Sequence, residues 1–116
     1  MFLEQADRFR SDADAPISAE SQAVLLHNAA VSACDAILQA VGLRVTGGER
    51  SHILRLETAL EQLDGDTEEL LEALDASRER RNEASYAASF VPEASLSDAR
   101  EATTELLERV RAILNA

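Results

Sequence analysis

The residues best equipped for chemistry lie together in Arg80-Arg81-Asn82-Glu83-Ala84-Ser85-Tyr86. Upstream, Leu70, Leu74 and Ser77 recur at the spacing of one α-helical face, and Ala84 and Ala88 continue that face downstream. Arg81 occupies the same stripe, so the pattern directs it at a neighbouring helix and away from open water. A buried guanidinium is costly unless it is paired and hydrogen-bonded. It must therefore meet a carboxylate on a facing element or hold an anion such as phosphate. Asn82 and Tyr86 stand four residues apart on the flank of the stripe, one above the other. One helix edge carries a cation, an amide and a phenol, and it is the candidate functional edge.

Each of these residues also has a plain structural reading. Arg81 can pair with an acid on a facing helix or across a dimer. Arg78 and Arg80 suit pairing with nearby acids such as Asp75 and Glu79. Tyr86 fits a core ring whose hydroxyl bonds at the rim. His27, between Leu26 and Asn28, reads as a bundle histidine bonded to a neighbour. His52 has no partner at zinc-site spacing, so no metal ligand set is expected. Gly47-Gly48 lacks either phosphate-loop frame, so no cofactor is expected.

The elements that must position this edge are helices. The chain has 116 residues, 46% of them hydrophobic, with four Gly and two Pro, which favours long helices over strands and one domain over residues 1–116. Aromatics make up only 3%, which argues against a β-sandwich core or a base-stacking platform. Twenty-two acids against eleven arginines leave a formal charge of −11, which repels RNA and anionic membrane at long range. No basic residue is Lys, a bias read here as a property of a GC-rich genome. The single cysteine, Cys34, excludes an internal disulfide and reads as a small buried hydrophobe. The first residues show no basic segment followed by an apolar run, and no run of eighteen uncharged apolar residues occurs. A cytoplasmic protein with no membrane contact is expected.

Five helices are expected: about 2–11; about 18–42 with Ser18 as N-cap and Gly42 at its end; about 49–63; a fourth from an Asp66/Glu69 capping box to about 90; and a fifth from Ser95 or Ser97. The first should bury Phe2, Ala6, Phe9 and the stem of Arg10. The second is apolar almost all round from Ala23 to Val41, so it should be the most buried. The third carries Ile53, Leu56, Leu60 and Leu63 on one face, and the fifth carries Leu106, Val110 and Ile113. The expected fold is all-α, an antiparallel bundle of four long helices plus a short N-terminal one. The apolar second helix leaves more hydrophobic face than a bundle of this size should cover, so a homodimer is expected.

The order of elements and the text of the fourth helix resemble the HEPN domain (higher eukaryotes and prokaryotes nucleotide-binding), over roughly residues 16–114. Members of that family are small helical bundles that usually dimerise. Many are ribonucleases marked by Arg, a polar residue, a short spacer and His. Here Arg81-Asn82 matches the first two positions, Glu83-Ala84-Ser85 fills the spacer, and Tyr86 stands in place of the His. The segment Leu43-Arg44-Val45-Thr46-Gly47-Gly48, followed by His52, is similar to the family's second-to-third helix junction. The resemblance implies an Arg that holds phosphate, and a bacterial toxin–antitoxin or defence setting. It also exposes a chemical departure. Acid–base work near neutral pH needs a pKa near 7, which a phenol at about 10 does not supply.

Three classes of function follow. The first is a dimeric HEPN-like interaction module with a degenerate nuclease motif, with Arg78, Arg80 and His27 as interface residues and a protein partner. The second is a metal-independent ribonuclease with Arg81, Asn82 and Tyr86 as a composite catalytic site across a dimer. The third is an unrelated helical-bundle adaptor. The acidic charge and the missing imidazole favour the first over the second. Replacement of Arg81 separates its two roles. If Arg81 pairs with a buried acid, Arg81→Ala should lower stability by about 3–5 kcal/mol by stranding that charge. If it is a phosphate ligand in a cleft, thermal melts should show stability unchanged or raised.

Overall fold

The computed structural model describes residues 2–15, 17–43, 51–86 and 93–115, and the side chains of 51–52 and 80–86 lie outside that description. Five helices follow in order: α1 (Phe2–Asp12), α2 (Ala19–Ala40), α3 (Ser51–Glu61), α4 (Glu68–Tyr86) and α5 (Glu93–Leu114), with no strand among the described residues. The Cα radius of gyration is 13.4 Å, matching the compact value of about 13 Å expected near this length.

The ends of α2 are set by local chemistry. Ser18, in extended conformation, accepts the Ser21 N–H through its hydroxyl and so satisfies one orphan donor of the first turn. At the other end, the Gly42 N–H donates to the Gln39 carbonyl at 3.1 Å and the Leu43 N–H to Leu38 at 2.9 Å. That pair of bonds is a Schellman motif, and it needs a left-handed residue, which Gly42 supplies at φ 75°. Between these caps ten α2 residues are buried, from Ala23 to Leu38. All four other helices pack against α2. It is long and apolar enough to cross a membrane by length and composition, yet here it is the central helix of the assembly. Its apolarity alone therefore does not call for a second copy of the chain.

The main core joins Ile37, Leu38, Leu60, Leu70, Leu74, Leu106 and Val110, with Ala6 and the half-buried Phe2 and Leu3 of α1 against it. A smaller cluster of Ala13, Ala23, Leu26, Leu96 and Ala99 closes one end, where α1 runs into α2 beside the start of α5. The expected faces hold: Leu56, Leu60 and Leu63 of the third segment are buried, as are Leu106 and Val110 of α5, and Ile113 packs on the core. Alanine at so many α2 positions lets neighbouring helices approach closely.

Several boundaries differ from expectation. Over the described residues α3 ends at Glu61, short of the expected 63, and the expected start near 49 lies outside the described residues. It stops because Gln62 and Leu63 donate three residues back, to Ala59 and Leu60, and Gly65 then turns left-handed at φ 85°. In α4 the first main-chain bond runs from Leu71 to the Thr67 carbonyl, so Thr67 takes the N-cap place, and Asp66 helps through its carboxylate, which accepts the Glu68 N–H at 3.0 Å. Glu69 makes no return bond to Asp66 among the described residues. α5 begins at Glu93, before either serine, and the residues ahead of it lie outside the described residues.

The Gly42 turn is open to test. A Cβ there would meet nothing within 4 Å, so Gly42→Ala carries only the left-handed backbone penalty. It should cost about 1 kcal/mol, and Gly42→Asn less, as read from denaturant midpoints at unchanged m-value.

Candidate functional site

The stripe that picked out the fourth helix is present in the structure. Leu70, Leu74 and Ser77 are buried, and Arg81 follows at the next register position on the same face of α4. The backbone of Arg80, Arg81, Asn82 and Tyr86 is helical. Their side chains lie outside the described residues, as do residues 44–50 of the expected junction and the side chain of His52.

One turn before Arg81, the described side chains converge. His27 and Cys34 of α2, Arg55 and Leu56 of α3, and Leu74 and Arg78 of α4 line one small cavity of about 30 Å³, room for a single water. Two of the sequence candidates, His27 and Arg78, thus meet at one place. The third cation, Arg55, had not been singled out. Its neighbours Leu56 and Leu60 mark the buried face of α3, but nothing in sequence says which helix that face meets.

The electrostatics of this cavity decide what it can do. Arg55 Nε lies 3.1 Å from Asp35 Oδ1 across the α2–α3 interface. That Nε is fully buried without an aligned hydrogen bond, so charge more than geometry holds the pair. Burial pushes the Asp35 carboxyl above its ordinary range, and the Arg55 guanidinium pulls it back only in part. Arg78 Nε donates to Asp75 Oδ1 at 3.1 Å, three residues back on its own helix, as its neighbourhood of acids suggested. Two guanidinium groups are matched by two carboxylates, so the local positive charge that an RNA-cleaving surface needs is largely cancelled.

Cys34 is 2% exposed, and burial, reinforced by the neighbouring Asp35, pushes its thiol up to about 12. Such a thiol is not a nucleophile at neutral pH. Among the described residues, no three His, Cys, Asp or Glu side chains come together as a metal site. The arrangement offers ion pairs and one buried thiol around a space too small for a nucleotide. Compared with known family models, with curated proteins and with solved structures, the chain matches none.

The buried thiol gives a clean readout. A thiol reagent should label Cys34 at the rate of unfolding in the native protein and at once in denaturant. The folded pKa is raised above the unfolded value, so the stability from the protonated thiol is intact below about pH 9 and lost above it. The loss should approach about 1.4 kcal/mol per pH unit between pH 9 and 12, and Cys34→Ala should remove that slope.

Proposed function

We propose that this chain is a HEPN-like helical interaction module, homodimeric, with a degenerate nuclease motif and a protein partner in a bacterial toxin–antitoxin or defence system. The observation that carries the reading is the buried α4 stripe of Leu70, Leu74 and Ser77, which leads into the register position of Arg81 beside the cavity shared by His27 and Arg78. An antiparallel arrangement of the helices belongs to the same reading. So does a cytoplasmic protein with no membrane contact. The half-buried Val24 and Val31 of α2 and the exposed Leu54 of α3 supply apolar surface that a second copy would cover.

A second reading, metal-independent ribonuclease chemistry at Arg81, Asn82 and Tyr86, draws on the gathering of Arg55, Arg78 and His27 at one point of an acidic chain. Pairing of both arginines with Asp35 and Asp75 weighs against it. A phenol at position 86 also has no proton to exchange near neutral pH.

Purified protein incubated with RNA in chelator should leave it intact. Cleavage by the wild type, abolished in both Arg81→Ala and Tyr86→Phe, would establish the ribonuclease instead. Sedimentation at roughly 50 µM, where even weak dimers form, should give a dimer, and a strict monomer there would remove the homodimer from the reading.

A further inference from the structure

A second surface, independent of the arginine-lined cavity, lies between α4 and α5. It is an open groove of about 750 Å³ whose floor is made of small side chains, Ala73 and Ala76 from α4 and Ala99 and Ala102 from α5. Acids run along both rims, Asp66 and Glu69 on one side and Asp98, Glu101 and Glu105 on the other.

Three observations bear on what fills it. First, Glu105 is shared with Arg109, but Glu69, Asp98 and Glu101 have no arginine partner among the described residues. Like charges at the i, i+3 and i+4 spacing of Asp98, Glu101 and Glu105 weaken an isolated helix, so folding alone does not account for them. Second, Ser77 lines the groove while only 5% exposed, and its hydroxyl has no hydrogen bond among the described residues. That oxygen is not among the fully buried polar atoms left without a partner, so it opens onto the groove and can donate to or accept from whatever lies there. Third, the lined stretches run from Glu69 to Ser77 and from Ser95 to Glu105. At 1.5 Å per residue these are about 12 and 15 Å long, or roughly two to three helical turns.

We propose that the α4–α5 groove is the docking site for a basic amphipathic helix of a partner protein. Its small apolar face sits against the alanine floor, and Arg or Lys on both flanks meets the two acidic rims. The small floor residues permit the close axial approach that such packing needs. Charge selects this occupant over the others. A second copy seated groove to groove would set its own acidic rims against these, and RNA or an anionic membrane would be repelled by them in the same way. A metal ion is not served, because no three potential ligands converge among the described residues.

The test uses the full chain and a synthetic helical peptide of about three to four turns, with alanine and leucine on one face and arginine on both flanks. A matched peptide carries glutamate on the flanks. The arginine peptide should bind by fluorescence anisotropy, shift the amide resonances of Ala73, Ser77, Ala99 and Ala102, and weaken several-fold when salt is raised from about 0.05 to about 0.3 M. The glutamate peptide should not bind. The exposed double reversal Asp98→Arg with Glu101→Arg should weaken binding about tenfold, and Ala76→Leu should block the floor, neither lowering the melting temperature. Failure of the arginine peptide to bind, or equal binding by wild type and both variants, would overturn the proposal. So would resonance changes at the groove on diluting the protein alone, which would assign the surface to a second copy. Neither result touches the RNA-cleavage and sedimentation tests of the interaction-module reading.

Discussion

The rest of the fold depends on covering α2. A 22-residue helix this rich in alanine and leucine cannot sit at a surface, and no single neighbour covers more than part of its circumference. The chain answers by packing α1, α3, α4 and α5 around it, so that each of those helices needs only one apolar stripe. This explains why α1, α3 and α5 read as clearly amphipathic while α2 does not. It also fixes where polar chemistry can occur, since a polar side chain facing α2 must bring its own partner. Asp35 meets that condition through Arg55, and it shows the strain of doing so, with a carboxyl raised by burial despite the cation beside it.

What sequence reveals follows the range of the interaction. Ser18, the Gly42 turn and the buried faces of the helices depend on residues within a few positions of one another, and all were legible. The stripe through Leu70, Leu74 and Ser77 was legible for the same reason. The Arg78–Asp75 pair was legible because a helix places residues three apart side by side. The Arg55–Asp35 pair was not, because its members are brought together only when α3 docks on α2. The start of α5 was misplaced because serine reads as a cap, whereas Glu93 and the residues after it are already helical. The early end of α3 followed from a tightened last turn, a backbone choice that its leucine spacing does not encode.

The absence of lysine takes on a meaning that genome composition alone does not give it. Of the seven arginines whose side chains are described, six are engaged in ion pairs. Three of them use more than one nitrogen to join separate pieces of chain. Arg10 donates through Nε to Thr104 and through Nη1 to Asp14. Arg100 reaches Gln22 through Nη2 while its Nε lies 3.5 Å from Asp14. Arg109 holds the carbonyls of Asp64 and Asp66 through two nitrogens, clasping the α3–α4 turn to α5. A lysine ammonium, a point charge on a flexible stem, cannot present donors in that fixed fork. These contacts are mostly near the surface, where a lone pair adds little, so their value lies in fixing the relative placement of α1, α2, α5 and the turn.

That use of arginine has an electrostatic consequence. With eleven cations for twenty-two acids, every arginine committed to a tether leaves the acidic surplus uncovered elsewhere. The uncovered acids are not spread evenly. Asp98 and Glu101 share the groove side of α5, while Arg100 and Arg111 of the same helix turn to Gln22 and Asp14 and to Asp7, and Arg109 answers only the Asp66 and Glu105 end of the groove. Along the middle of the groove this helix thus separates its charges, with Arg100 and Arg111 spent on the chain's own elements and Asp98 and Glu101 left along the rim. Random placement of an acidic excess would mix the two on each face. The segregation makes the α4–α5 side the face on which a cationic partner gains most, and it does so using the same arginines that hold the helices in place.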